Sequence, residues 1–153
     1  MELLDQTTRR GGCQCGALRY EARAILDNPH ICHCRMCQRA SGNFFAALVG
    51  VPNEALTWQG EPAIFESSEG VERGFCRDCG TPMFYRHRDG SHCSIMIGTF
   101  DDPASVPLFY EFGIESRLPQ IDRLGHVERY TSDELIDAAA IAHIRETSRQ
   151  YPL

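Results

Sequence analysis

The chain lacks the features that would send it into or across a membrane. No apolar run approaches the ~20 residues of a membrane span. The opening MELLDQTTRRGG has no apolar h-region, so no secretory signal is expected and a cytoplasmic location follows as the default. Positive charge is scarce as well: 15 basic residues face 21 acidic ones, for a net charge of −6. That balance argues against nucleic acid as a partner. Linkers, low-complexity stretches and long internal repeats are missing from the sequence. A single domain over 1–153 is therefore expected, a length that suits one sizeable core.

Cysteine, by contrast, is plentiful. Of eight cysteines, seven fall in three tight groups: Cys13-x-Cys15, Cys32-x-Cys34-x-x-Cys37 and Cys76-x-x-Cys79. In a reducing compartment, clustered thiols are better used on a metal than in disulfides. A Cys-x-Cys pair is also poorly placed to form bridges without strain. Two pairs supply four soft donors, enough to close a zinc site, whereas a triplet supplies three and leaves one coordination position open. Four plus three predicts two zinc ions per chain, one structural and one with room for a substrate.

The rest of the chain reads as mainly β. Leu18–Ala24 alternates apolar and charged residues, which points Leu18, Tyr20, Ala22 and Ala24 inward on a strand. Asp27-Asn-Pro29 turns the chain, and Arg35–Ala40 suggests a short helix leaving the triplet. Phe44–Val51 is a continuous apolar run, as in a buried strand. Shorter strand candidates follow at Ala55–Trp58, Ala63–Glu66, Glu72–Phe75, Pro82–Arg86 and Cys93–Ile97, punctuated by glycines. Phe44, Phe45, Phe84 and Tyr85 are expected in the core. Thr131-Ser-Asp-Glu134 is a capping box, so one C-terminal helix is expected from about Ser132 to Ser148, packing Leu135, Ala138, Ala139 and Ala142 on the body.

Cys15-Gly16 and Cys79-Gly80 echo each other. A thiolate on zinc is oriented by backbone N–H groups, and the turn that supplies them favours φ > 0 just after the second ligand, where glycine is unstrained. Two such turns would close a structural site from Cys13, Cys15, Cys76 and Cys79, stapling the start of the domain to its middle. Cys32, Cys34 and Cys37 would hold the second ion. His33, between two ligands, is badly placed to bind and reads as a surface residue or a support for the ligands. His30 and His92 are weaker candidates for a fourth ligand. Cys93 would make that site a closed one, but it shares a strand face with Ile95 and Ile97, and a buried core thiol is the simpler reading. Three thiolates on a divalent cation leave a single net negative charge, a poor setting for activating water. An incoming thiol suits it better, and binding would lower that thiol's pKa from about 8.5 towards neutrality. The spacing thus points to thiol chemistry rather than hydrolysis.

Four segments appear in order: Gly12-Cys13-Gln-Cys15-Gly16, Cys32-His-Cys34-Arg-Met-Cys37-Gln-Arg-Ala-Ser-Gly42, Phe75-Cys76-Arg-Asp-Cys79-Gly80 and Ile97-Gly-Thr-Phe-Asp101-Asp-Pro103. Together they resemble the glutathione-dependent formaldehyde-activating enzyme family, which also contains centromere protein V. The resemblance covers about 10–124 and implies a zinc-stapled β-tent of small antiparallel sheets. It implies structural zinc on the counterparts of Cys13, Cys15, Cys76 and Cys79, and a second zinc on those of Cys32, Cys34 and Cys37. The implied activity is that of a carbon–sulfur lyase, joining glutathione and formaldehyde reversibly as S-hydroxymethylglutathione. Two positions depart from the family's habit. Glu111 stands where histidine is common, and Gln120 follows Ser116-Arg-Leu-Pro119 where tryptophan often does.

Carboxylates and histidine are the usual proton carriers, so Asp101 and Glu111 are the catalytic candidates, with Asp102 and His126 behind them. Arg35 and Arg117, and less so Arg39, could pair with the carboxylates of a glutathione-like thiol. The rival reading is a non-enzymatic zinc-binding module for protein interaction; a zinc-buffering or thiol-sensing protein is a third. A homodimer is compatible with any of them.

Overall fold

The structure, a computed structural model, describes residues 1–151. Short strands build the body: β1 (Leu3–Asp5), β2 (Arg9–Gly12), β3 (Arg19–Ala22), β4 (Ile25–Leu26) and β5 (His30–Cys32). After helix α1 (Arg35–Ser41) come β6 (Ala46–Pro52), β7 (Leu56–Gln59), β8 (Ala63–Ser68), β9 (Val71–Phe75), β10 (Pro82–His87), β11 (His92–Met96) and β12 (Tyr110–Phe112). They form one seven-stranded sheet in the order β12-β5-β6-β11-β10-β9-β8, a three-stranded sheet β2-β3-β7 and the pair β1-β4. The chain is mainly β, as expected, although one sheet is larger than the small pieces anticipated. Its pairings are antiparallel except at the edge, where β12 runs parallel to β5.

Local pattern explains most of these elements. Leu18, Tyr20, Ala22 and Ala24 are all buried, so the alternation sets one face of β3 on the core. β6 is central, between β5 and β11, and its continuous apolar run is buried almost throughout. Cys93, Ile95 and Ile97 are buried as read, with Cys93 opposite Val51 and Ile95 opposite Val49. Tyr20 locks the smaller sheet to this core: its ring meets Trp58 at 5.3 Å and Phe100 at 5.4 Å, and its hydroxyl lies 3.0 Å from Thr99 Oγ1. Helix α1 starts at the triplet because Cys34 is its N-cap, accepting from the Cys37 N–H, and stops at Gly42 in the left-handed conformation.

Two expectations are corrected. Phe44 is exposed and Phe45 only half-buried; β6 begins after the α1 cap, at Ala46, so these rings precede the buried run. Phe84 is core, and Tyr85 is half-buried. The C-terminal segment is helical but not one helix. α2 (Ser132–Leu135) closes at an extended Ile136, and α3 (Ala138–Thr147) restarts with Asp137 as N-cap, its carboxylate accepting from the Ala140 N–H at 3.0 Å. Asp137 thus offers the backbone a competing start inside the expected helix. Leu135, Ala138, Ala139 and Ala142 are exposed, because a stripe made mostly of alanine offers little apolar area to bury. The tail touches the body further on, where the Tyr151 N–H donates to the Gln14 carbonyl (2.7 Å) and the Arg19 guanidinium sits 4.5 Å from the Tyr151 ring centre. No helix among the described residues is long and apolar enough to cross a membrane.

Gly74, inside β9, makes room for the fully packed Phe84 ring on β10; a Cβ there would overlap that ring. Gly74→Ala should therefore destabilise the fold by about 1–3 kcal/mol through overpacking, measured as a lower urea midpoint at unchanged slope.

Candidate functional site

Two turns of matching build bring four cysteines together. In the first, the Cys13 N–H donates to Leu18 O (3.0 Å) and the Gly16 N–H to Cys13 O (3.1 Å). In the second, the Cys76 N–H donates to Thr81 O (2.9 Å) and the Gly80 N–H to Cys76 O (2.9 Å). Gly16 and Gly80 have φ of 80° and 76°, so the positive φ foreseen after each second cysteine is present. The Leu18 N–H points at Cys13 Sγ (3.2 Å), and the Thr81 hydroxyl lies 3.1 Å from Cys79 Sγ. Thr81 Oγ1 also accepts from the Gln14 N–H at 3.1 Å, tying one turn to the other.

The donor set fits a soft tetrahedral cation. Sulfurs at about 2.3 Å from zinc stand about 3.8 Å apart by tetrahedral geometry. Here Cys13 Sγ lies 3.6 Å from Cys15 Sγ, which lies 3.8 Å from Cys76 Sγ, and all four sulfurs fall within 4.8 Å of one another. Burial holds the Cys76 thiol above its ordinary pKa. Four thiolates this close would repel one another, and a divalent cation among them would offset that repulsion.

The second group is Cys32, Cys34 and Cys37, also within 4.8 Å, at the end of β5 and the start of α1. It is a three-donor set: Cys93 lies in neither group, on the core face of β11. His30 is otherwise engaged, with Nδ1 2.8 Å from Asn28 O and its ring stacked on Tyr110. A shared proton and the Arg73 guanidinium make the thiols unequal. Contact with Cys32, then Arg73, holds Cys37 well below the ordinary thiol range, and contact with Cys37 pushes Cys32 far above it.

The loop after β12 clamps this triplet. The His33 N–H donates to Phe112 O (2.8 Å), and the buried Gln38 amide donates to His33 O (2.7 Å) and Ser116 O (3.0 Å). Gly113 sits at φ +71°, where a Cβ would stand 3.0 Å from the Cys34 nitrogen. His33 is wholly buried rather than at the surface. Its Nε2 lies 3.2 Å from Glu111 Oε2, its ring meets Phe45 edge-on, and its Nδ1 has no partner. That same Glu111 oxygen accepts from Arg117 Nε at 3.0 Å, and Arg117 Nη1 donates to Asp122 at 2.7 Å.

The other candidates are dispersed. Asp101 pairs with Arg19 and lines a cavity with Gly12 and Cys13, on the side of the four-cysteine group. Arg35 is exposed and hydrogen-bonded to Gln38. Asp102 and His126 are exposed. Sequence reasoning missed Arg73 and Gln38. Gln38, in the quoted Cys37-Gln-Arg segment, carried a signal by its place next to a ligand. Arg73 carried none, because only the tertiary packing of β9 beside α1 brings it to Cys37.

The fold and these two groups define a β-sheet protein with two thiol clusters that could hold metal ions. Residues 8–112 match the family described as glutathione-dependent formaldehyde-activating enzyme, and the chain belongs to that family. It is 27% identical over 84 residues to an uncharacterised lyase of Schizosaccharomyces pombe, covering 54% of this chain and 60% of that protein. It is 30% identical over 79 residues to a Phaeosphaeria nodorum protein provisionally named glutathione-dependent formaldehyde-activating enzyme, covering 48% and 42%. The match thus spans about half the length of these curated relatives. A crystal structure of a Rhodobacter sphaeroides protein shares the fold, with a TM-score of 0.55 at 18% identity over 67% of this chain and 98% of that one.

Burial pushes the Cys93 thiol up to about 12. Iodoacetamide should label Cys93 roughly a hundredfold more slowly in the folded protein than in urea, read by peptide mass spectrometry.

Proposed function

We propose that the chain is a zinc-dependent carbon–sulfur lyase that joins a thiol to a small aldehyde, with glutathione and formaldehyde giving S-hydroxymethylglutathione as the model reaction. The family supports this reading, and so does the name of the S. pombe relative. One observation carries it: the triplet offers three sulfurs and no fourth, while the other group offers four. Cys13, Cys15, Cys76 and Cys79 would hold a structural zinc, and Cys32, Cys34 and Cys37 a second. A zinc ion on the triplet would supply a position at which a thiol loses its proton near neutral pH.

The chain's own groups do the rest. The clamp from Gln38 and the His33 N–H fixes the triplet loop, so the three sulfurs would meet an ion without reorganising. In the forward direction the substrate sulfur forms a bond to the aldehyde carbon and the carbonyl π pair moves to oxygen. The thiol proton leaves, and a proton arrives on that oxygen to give the hydroxymethyl group. Glu111 is the group assigned to carry this proton, at Oε2, held by His33 and Arg117. Asp101 is not assigned a step, because it lies with the other cysteine group.

A second reading, a zinc-binding module that docks a protein partner or a second copy, has one observation in its favour. Leu108, Phe109, Tyr110, Phe112 and Ile114 are all exposed on or beside the edge strand β12. The two readings separate in one set of variants. Cys34→Ser should drop bound zinc from two ions to one and abolish adduct formation, followed by exchange NMR of glutathione with formaldehyde, while the protein stays folded. Cys15→Ser should cost most of the roughly 10 kcal/mol that a structural zinc contributes and leave the chain unfolded. Glu111→Gln should slow turnover about a hundredfold. Wild-type protein with two zinc ions and no adduct chemistry would favour the docking module.

A further inference from the structure

Arg73 is the one arginine that the fold buries without giving it a carboxylate. It is only 8% exposed and takes part in no ion pair among the described residues, whereas Arg9, Arg19, Arg86 and Arg117 each meet an acidic side chain. A buried cation normally requires a partner of opposite charge. What Arg73 meets is sulfur: its Nη2 lies 3.6 Å from Cys37 Sγ. On β9 it stands opposite Phe65 of β8 and Tyr85 of β10, and its guanidinium lies 5.2 Å from the Tyr85 ring centre. Its Nη1 is buried and has no hydrogen-bond partner.

Arg73 also stands where two cavities meet. One, of about 280 Å³, is lined by Met36, Arg39, Ala40, Phe65, Ser67 and Arg73. The other, of about 250 Å³, shares Ala40, Phe65 and Arg73 with it. Neither has an acidic lining residue. Two guanidinium groups, apolar walls and the triplet loop therefore adjoin.

Resting on the thiol reading above, we propose that Arg73 selects the substrate: it offsets the negative charge of the cysteine triplet and receives the carboxylate of an anionic thiol with its unpaired Nη1. Three thiolates and a divalent cation carry one negative charge, and the guanidinium cancels it. A thiolate that also bears a carboxylate would otherwise meet like charge twice. The planar fork can face sulfur with one nitrogen and a carboxylate with the other, a division that a lysine cannot reproduce. Arg39, at the mouth, adds attraction without fixing orientation.

The test compares 3-mercaptopropionate with its methyl ester, which keeps the thiol and removes the charge. Binding is read from the ligand-field bands of cobalt-substituted protein, with no turnover needed. Wild-type protein should bind the acid at least about tenfold more tightly than the ester. Parity, or a preference for the ester, overturns the proposal without any variant being made. Arg73→Gln should erase the preference, while Arg39→Gln, at an exposed position, should keep most of it. A folded Arg73→Gln protein that still favours the acid tenfold would remove Arg73 from the assignment. Should neither thiol perturb the wild-type spectrum, the thiol reading of the triplet fails and takes this inference with it. Weakening of acid and ester alike by Arg73→Gln would leave that reading standing and reduce Arg73 to structural support.

Discussion

Mutual repulsion among thiolates is the constraint on which this molecule is organised. Four sulfurs sit within 4.8 Å of one another in one group and three in the other. Burial raises Cys76 and contact with Cys37 raises Cys32, while contact with Cys32 and then Arg73 lowers Cys37, so the crowded thiols are unequal. A cation would reconcile the crowding with the chain's geometry. The turns that carry the sulfurs are already formed: Gly16 and Gly80 hold the positive φ that aims backbone N–H groups, and the Leu18 N–H is directed at Cys13 Sγ. The protein thus supplies orientation, and a bound ion would supply the compensating charge.

The two groups differ in how the chain delivers them, and that difference divides their roles. Cys13 and Cys76 are buried, on turns about sixty residues apart, so an ion shared by them would link the edge of the three-stranded sheet to the β9–β10 connection. The triplet comes from one stretch between β5 and α1, and one continuous segment can wrap only part of an ion. Its rigidity is borrowed from β12, the only parallel neighbour in the large sheet, whose following loop reaches Gln38 and approaches Cys34 at Gly113. The four-and-three division of the cysteines follows from connectivity more than from ligand type.

How much of this was legible follows from sequence separation. The cysteine groups are local patterns, so their membership and the glycine echo could be read directly, as could the alternation that buries Leu18, Tyr20, Ala22 and Ala24. Contacts made by long-range folding left no local trace. Glu111 is 78 residues from His33, and Arg73 is 36 from Cys37. Glu111 was a candidate for its chemistry alone, and Arg73 escaped notice altogether. The tail shows the opposite failure. Its capping box exists, with Glu134 bonded back to Thr131, but Asp137 provides a second cap three residues on, and two local signals compete where one was assumed.

Charge around the triplet is distributed asymmetrically, and that asymmetry is chemically useful. On the Cys37 side stands a buried guanidinium with no carboxylate; on the His33 side stands a carboxylate already held by an imidazole and by Arg117. Exchanging the two would fail on both counts. A carboxylate against Cys37 would add to the negative charge that the sulfurs already carry. A guanidinium in place of Glu111 could not accept a proton in the working pH range. On the reading proposed above, anion recognition by Arg73 and proton handling by Glu111 would fall on different sides of the three-sulfur group. Sheet order produces this arrangement, since β9 carries Arg73 from one direction and β12 carries Glu111 from the far edge. The fold pairs this carboxylate with Arg117 and His33 rather than with Arg73, so the guanidinium beside Cys37 has no acidic partner among the described residues.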